Sequence, residues 1–213
     1  MWGLFTGSSI YVMKQKNKIT PVILVGGKSK RFGEDKALLE FQGEPLIKKI
    51  YFSLFDCFHK EPILIGKKNL YFGFESFSDI IEGKGPIGGL YTALKFVDTA
   101  FVFLTGCDMP LINKELICYM IEKLEEDSMI YLPKFNNSMI EPLFAFYNHF
   151  LLNKVEDLIL AGEYKMRSVL VGEKVQFLTE KEIERFDSDL SSFININTKS
   201  DFNKIITLKN ERD

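Results

Sequence analysis

Short apolar runs alternate with segments of helical periodicity along most of this 213-residue chain. The first run, ITPVILV at residues 19–25, is rich in β-branched residues and ends in two glycines, which is typical of a buried strand in a parallel sheet. Apolar residues then recur at a helical spacing over residues 44–58. Strands that alternate with helices of this length predict a three-layer α/β/α sandwich with a mostly parallel sheet.

The same pattern predicts the remaining elements and the domain organisation. Asn113 has the side chain and position of a helix N-cap. We expect one domain over residues 19–213, preceded by an extension over 1–18 that is either disordered or the product of a start assigned upstream of Met13. A last helix is predicted from about residue 200. Further strands are predicted at 62–65, 78–81, 100–104, 129–132, 143–147, 175–178 and 193–196.

Charge and composition exclude several classes of protein. Lys and Arg number 27 against 29 Asp and Glu, so a broad basic field for binding nucleic acid is not expected. No run approaches the roughly 20 apolar residues of a membrane span, so no membrane partner is expected either. The two histidines lie far apart, and the three cysteines include no C-x-x-C pair, so neither a zinc site nor a disulfide framework is indicated. A reduced, cytoplasmic compartment is the simplest interpretation.

The glycine-rich loop after the first strand is the first candidate site. Successive N–H groups at Gly26 and Gly27 can form an anion-binding nest, and Ser29, Arg31 and Lys36 add side-chain donors. A Walker A loop does not fit, because Gly33 is followed by Glu34-Asp35-Lys36 where that motif needs Lys and then Ser or Thr. A dinucleotide fingerprint does not fit either, because the glycine spacing is wrong and the second strand does not end in an acidic residue. The alternative interpretation is a solvated turn whose basic residues only keep the surface soluble.

Asp108 is the second candidate, directly beyond the strand at 100–104. A carboxylate at a strand end can hold Mg²⁺, which takes one or two carboxylates together with substrate phosphates. The alternative is that Asp108 only caps a turn ahead of Pro110, since Asp is common in turns for that reason.

Taken together, these motifs resemble one family. The loop over 26–36 reads G-G-x-S-x-R-F-G-x-D-K, which is similar to the first-loop signature of the molybdenum cofactor guanylyltransferases, with Phe32 in place of the usual Met. Five other segments are similar to elements of the same family, and with the loop they cover nearly all of the chain outside the N-terminal extension. They are SDIIEGKGPIGGL at 78–90, CDMP at 107–110, EPLFAFY at 141–147, GEYKMRSVL at 162–170 and FININT at 193–198.

The resemblance implies a Rossmann-like nucleotidyltransferase fold and an enzyme that transfers GMP from GTP to the phosphate of molybdenum-bound molybdopterin, releasing pyrophosphate. It implies Mg²⁺ as the cofactor, with Asp108 as its ligand. The catalytic residues would be Arg31, Lys36 and Asp108. The nucleotide-binding residues would be Leu24, Val25, Gly26, Gly27, Lys36, Asp79 and Asp108. The residues that would meet the acceptor are Lys165, Arg167, Asn195 and Asn197.

Alternatives stay open at this point. Asp79 could be a solvated strand-end carboxylate, Lys165 and Arg167 could belong to a solvated helix face, and the two asparagines could tie down backbone groups. Asn69 is a candidate for the asparagine that the family often carries after its second strand. A cytidylyltransferase, a sugar-phosphate nucleotidyltransferase and a regulatory nucleotide-binding domain without turnover share parts of the pattern. GTP and molybdopterin are the expected small-molecule partners, with other cofactor-biosynthesis proteins as further candidates.

Overall fold

An eight-stranded sheet forms the centre of the molecule, in the order β10-β8-β9-β7-β1-β4-β6-β5. The computed structural model describes residues 12, 14–25, 36–41, 43–66, 69–196 and 201. A small hairpin of β2 and β3 stands apart from the sheet. The strands are β1 (Ile19–Val25), β2 (Glu40–Phe41), β3 (Glu44–Pro45), β4 (Ile63–Gly66), β5 (Asn69–Tyr71), β6 (Phe74–Ser78), β7 (Phe101–Gly106), β8 (Ile130–Lys134), β9 (Phe144–Asn148) and β10 (Val175–Thr179).

Most of this sheet is parallel. Six of its eight strands run in one direction, and β5 and β9 run against them. The chain moves outward from β1 through β4 to β6 and then returns to place β7 on the other side of β1. The strand order therefore reverses between β1 and β7, and the crevice beyond the carboxyl ends of these two strands is where sheets of this kind bind ligands.

Helices cover both faces of the sheet, which confirms the predicted three-layer α/β/α sandwich. They are α1 (Leu46–Phe58), α2 (Pro86–Phe96), α3 (Lys114–Lys123), α4 (Leu152–Leu160) and α5 (Glu180–Ile183). One apolar core contains residues of α1, α3 and α5 together with Ile19 and Ile23 of β1. The core on the opposite face contains residues of α2 and α4 together with Val22. The alternation along β1 thus buries both of its faces, as its continuous apolar sequence predicts.

Local sequence signals explain several element ends. The side chain of Asn113 accepts a hydrogen bond from the Leu116 N–H at 2.9 Å, so the predicted N-cap of α3 is confirmed. Gly66 ends β4 with a φ of +146°, and a Cβ atom there would lie 1.7 Å from the Val25 carbonyl oxygen. Only glycine fits this close approach of β4 to the end of β1.

Two predicted strands are wrong. The strand expected at 78–81 lies earlier, over Phe74–Ser78, where it pairs parallel with β4 and antiparallel with β5. The closing strand expected at 193–196 is absent from the described part of the chain. A 3₁₀ helix over Ser191–Phe193 stands there instead, and the Ile194 N–H donates to the Ser191 carbonyl at 3.2 Å. Of the helix predicted from about residue 200, Asp201 is described and is helical, and the other residues lie outside the described ranges.

The segment before β1 is in part described. Residues 14–17 are helical, Gln15 is buried, and Val12 packs against the core on the α1 side of the sheet. The boundary expected at residue 18 stays a prediction. No helix among the described residues has the length and apolar character needed to cross a membrane.

Candidate functional site

Asp108 lies at the point where the strand order reverses. It follows the carboxyl end of β7, and the N–H of the preceding residue, Cys107, donates to the Leu24 carbonyl of β1 at 3.1 Å. This bond fixes the start of the Asp108 loop beside the last residues of β1, Leu24 and Val25, which lead into the glycine-rich loop. The Asp108 side chain is half-buried. The structure therefore brings two of the predicted nucleotide-binding residues next to the predicted metal ligand.

Gly106, which has no side chain, leaves room for the Asp108 carboxylate. A Cβ atom on Gly106 would lie 2.6 Å from Oδ1 of Asp108, closer than real Cβ atoms approach an oxygen. The carboxylate thus occupies the space that a side chain at position 106 would fill. A hard anionic oxygen held in this way suits Mg²⁺, which binds proteins through one or two carboxylates and keeps substrate phosphates and waters as its other ligands.

The described part of the chain holds no group of three or more His, Cys, Asp or Glu side chains that could bind a metal ion. The Asp108 carboxylate is an oxygen donor of the kind that Mg²⁺ takes together with substrate phosphates.

Glu141 is a second carboxylate at the same edge of the sheet, and sequence reasoning missed it as a site residue. Its Oε1 atom accepts a hydrogen bond from the Leu143 N–H at 2.9 Å, in the loop between β8 and β9. Burial raises the pKa of the Glu141 carboxyl, the bond from Leu143 lowers it, and the negative charge of Asp108 raises it further. The signal available in the sequence was the acidic residue that opens the EPLFAFY segment.

Asp79 follows β6 at this edge too. Its N–H donates to the Gly66 carbonyl at 3.0 Å, so its backbone continues alongside the end of β4. Its Oδ1 atom is buried and has no hydrogen-bond partner. Burial raises the pKa of the Asp79 carboxyl above its ordinary value, and the nearby charge of Glu82 adds to the effect. An unpartnered carboxylate oxygen is costly to bury, which is expected where a ligand supplies the missing donor.

Replacing Asp79 with Asn is expected to stabilise the protein at pH 7 and to do so less as the pH falls. The raised pKa means that the folded state holds the Asp79 proton more tightly than the unfolded chain does. The stability this proton contributes is present below the ordinary pKa and is lost as the pH rises through the folded-state pKa. Because the side chain is only half-buried, the gain from the substitution at pH 7 should stay below about 1 kcal/mol.

Urea unfolding of Asp79→Asn and wild type at several pH values between 7 and 4 measures this difference. The exposed Asp98, whose carboxylate serves as the control, is replaced in the same way. A stability gain that does not depend on pH, or an equal gain in Asp98→Asn, would contradict the assignment of the effect to the buried carboxylate.

The glycine-rich loop falls largely outside the described residues. This applies to Gly26, Gly27 and Arg31. Lys36 opens a 3₁₀ helix over Lys36–Leu38, and its side chain lies outside the described part. The roles expected for these residues therefore stay predictions, and so does the role of Asn69, whose side chain is likewise outside it.

The predicted acceptor-binding residues divide into two groups. Lys165 and Arg167 are exposed, on a segment that Tyr164 ties to the loop before α2. There the Lys84 ammonium donates to the Tyr164 hydroxyl at 2.8 Å. Asn195 is half-buried and precedes Ile196, whose N–H donates to the Asp108 carbonyl at 2.9 Å. The structure thus brings Asn195 to the Asp108 loop, while Asn197 lies outside the described residues.

Comparison with known proteins places these observations in a wider group. Residues 21–177 match the family described as the MobA-like NTP transferase domain. The molybdenum cofactor guanylyltransferase of Syntrophotalea carbinolica is 34% identical over 186 residues, which cover 86% of this chain and 88% of that protein. The crystal structure of molybdopterin-guanine dinucleotide biosynthesis protein A from Archaeoglobus fulgidus superimposes with a TM-score of 0.75 at 25% identity, covering 90% of this chain and 99% of that one.

Proposed function

Because the chain belongs to the MobA-like NTP transferase family, we propose that it transfers GMP from GTP to the terminal phosphate of molybdenum-bound molybdopterin and releases pyrophosphate. The observation that carries the proposal is the position of Asp108 at the reversal of strand order, tied through Cys107 to the end of β1. The name of the Syntrophotalea relative, whose length the chain largely covers, supports the choice of GTP and of the acceptor.

In this proposal the residues of the chain neutralise the negative charge of the phosphates and hold the phosphates in position. The N–H groups of Gly26 and Gly27, with Arg31 and Lys36, neutralise the triphosphate and then the departing pyrophosphate. Asp108 would hold Mg²⁺, which when bound would supply positive charge where negative charge develops on the phosphates. The Glu141 carboxylate adds a second negative charge on this side of the site. Transfers at phosphorus are catalysed largely by such positioning and charge stabilisation.

The reaction needs no general base from the protein. An oxygen of the acceptor's phosphate attacks the α-phosphorus of GTP, a new P–O bond forms, and the bond to the β-phosphate breaks as pyrophosphate leaves. A phosphate monoester, with a second pKa of about 6, is already an anion at neutral pH. The scarcity of histidine in the chain, two residues in all, is compatible with this chemistry.

Contacts on either side of the phosphates extend the proposal. The unpartnered Oδ1 of Asp79 accepts a hydrogen bond from the nucleotide. Lys165 and Arg167 meet the phosphate or the pterin of the acceptor, beside the loop that Lys84 and Tyr164 join. Asn195 and Asn197 contribute from the segment that adjoins Asp108. A GTP-consuming reaction of this kind fits the cytoplasmic location inferred from the cysteines, and other cofactor-biosynthesis proteins are candidate partners.

The test incubates the purified protein with Mg²⁺, one nucleoside triphosphate and molybdenum-bound molybdopterin, and measures pyrophosphate. We expect release with GTP that requires both the metal and the acceptor. Equal rates with CTP would remove the guanylyl assignment, and release with a sugar phosphate as the better acceptor would indicate a sugar-phosphate nucleotidyltransferase. Binding of GTP without release under any of these conditions would favour a regulatory nucleotide-binding domain.

A further inference from the structure

Asp187 is a buried carboxylate that the proposed reaction does not use. It is 4% exposed. Its Oδ1 atom accepts hydrogen bonds from the N–H and the hydroxyl of Ser191, at 3.0 and 2.8 Å, and its Oδ2 atom accepts one from the Ser192 N–H at 2.8 Å. A buried charge is tolerated only when it is hydrogen-bonded in this way. The turn after α5 is therefore folded around the Asp187 side chain.

Ser192 connects this turn to the loop that carries Asp108. The Ser192 side chain is fully buried, and its hydroxyl oxygen accepts a hydrogen bond from the Asn113 N–H at 2.9 Å. Asn113 is the N-cap of α3 and ends the stretch that begins at Asp108. Its side-chain amide also donates to the Phe186 carbonyl at 2.8 Å, directly before Asp187. Both ends of the turn are thus tied to the exit of the Asp108 loop.

The same segment reaches Asp108 itself. The Ile196 N–H donates to the Asp108 carbonyl at 2.9 Å. The Ile196 side chain is buried against Phe41 and Leu46, and Leu111 packs on the same cluster. Phe41 and Leu46 follow the glycine-rich loop in the chain, and Leu111 follows Asp108. We name residues 187–196 the C-terminal brace, because this one segment contacts both the chain that follows the glycine-rich loop and the chain that follows Asp108.

We propose that Asp187 is a positioning residue for the nucleotidyl transfer: through Ser192 and Ile196 it holds the main chain of Asp108, and so the carboxylate, where the metal and the triphosphate require it. The proposal rests on the proposed function for its effect on turnover. Two hydrogen bonds join the brace to the Asp108 loop: the Asn113 N–H donates to the Ser192 hydroxyl, and the Ile196 N–H donates to the Asp108 carbonyl. Both lie outside the hydrogen-bond ladders of the central sheet. Loosening the brace should therefore disturb the site before it disturbs the sheet.

The test compares Asp187→Asn and Ser192→Ala with wild type in the full-length protein. Asn keeps one oxygen for Ser191 but sets an amide group against the Ser192 N–H, while Ala at 192 removes only the acceptor of the Asn113 N–H. Partners that orient a metal ligand typically contribute about 10–100-fold to affinity or activity. We expect Asp187→Asn to weaken Mn²⁺ binding, followed by electron paramagnetic resonance, and to lower kcat by about 10-fold, with a smaller effect in Ser192→Ala.

Glu184→Gln is the matched control, since Glu184 is an exposed carboxylate of the same region and should leave both quantities unchanged. Amide hydrogen exchange over residues 105–112 provides a readout that does not depend on activity, and it should accelerate in Asp187→Asn. If wild type neither binds Mn²⁺ nor releases pyrophosphate, the proposed function fails. The hydrogen-exchange data then test by themselves whether Asp187 holds the main chain around Asp108 in place. Unchanged exchange there, or a lowered melting temperature with wild-type kcat and Mn²⁺ affinity, would show that Asp187 only stabilises the fold.

Discussion

Asp108→Asn is expected to lower turnover by more than about 100-fold, because loss of a metal ligand should exceed the 10–100-fold typical of groups that only orient one. Asn keeps the size of the side chain and an oxygen for the space above Gly106, where Oδ1 lies 2.6 Å from the position of a Cβ atom. It removes the negative charge that a hard cation requires. Pyrophosphate release with saturating GTP and acceptor measures the effect on turnover, and Mn²⁺ titration followed by electron paramagnetic resonance measures the effect on the metal.

A second variant separates the charge of Asp108 from its position. Gly106→Ala keeps the carboxylate but places a methyl group where that carboxylate lies, so Asp108 must shift. We expect a smaller loss of turnover and of Mn²⁺ affinity than in Asp108→Asn, with cooperative unfolding retained in both variants. Asp98→Asn, which removes an exposed charge, should match wild type in both assays. Wild-type turnover in Asp108→Asn would exclude this residue as the metal ligand.

The fold could be predicted from the sequence wherever each strand was buried on both faces. The β1 run and the strand at Phe101–Gly106 are almost entirely apolar, and a parallel sheet between two layers of helices is the arrangement that buries such runs. The sequence FESFS of β6 is different, because it lies near the sheet edge and pairs antiparallel with β5 on one side. The polar residues of β6 do not form the apolar run that is typical of a buried strand. The sequence pattern therefore predicted the strand later, at 78–81.

The C-terminal brace shows a second limit to the prediction of local structure from the apolar pattern. Residues 193–196 are mostly apolar and predict a strand. The chain instead enters them from a 3₁₀ helix over Ser191–Phe193, at whose start the Asp187 carboxylate accepts hydrogen bonds from the N–H groups of Ser191 and Ser192. A buried side chain that competes for backbone donors changes the local structure without changing the apolar pattern. Nothing in the spacing of the sequence distinguishes Asp187 from an exposed aspartate.

The candidate site also contains residues that local sequence could identify and residues that it could not. Asp108 could be identified as a site candidate because it directly follows a strand, and parallel strands end at a common edge. Asp79 is a candidate only through the family resemblance, since the strand expected at 78–81 included it, whereas the structure ends that strand at Ser78. For Glu141 the sequence carries only the weaker signal of an acidic residue at the start of the EPLFAFY segment. The charge of Asp108 acts on it because β9 returns antiparallel beside β7, a pairing between residues far apart in the sequence. Strand ends can be read from local sequence, whereas contacts made by sheet pairing depend on a topology that the sequence pattern did not specify.

Lys36→Ala is expected to reduce kcat/KM for GTP by about 100- to 1,000-fold, the loss typical when one donor to the developing charge is removed. The leaving pyrophosphate gathers negative charge as its bond to the α-phosphorus breaks, and an ammonium group in the glycine-rich motif would stabilise that charge. The fold should survive, because alanine is a good helix former and the buried residue of the Lys36–Leu38 turn is Ala37.

The measurement is steady-state pyrophosphate release, with kcat and KM determined separately for GTP and for the acceptor. Lys181→Ala, which removes an exposed lysine from α5, is the control and should leave kcat and both KM values unchanged. Lys36→Arg keeps the charge but replaces a compact ammonium by a planar fork, so it should recover only part of the lost rate. A rate in Lys36→Ala equal to that of wild type would mean that the glycine-rich loop does not serve the triphosphate. A loss confined to the acceptor KM would move Lys36 from the leaving group to the other substrate.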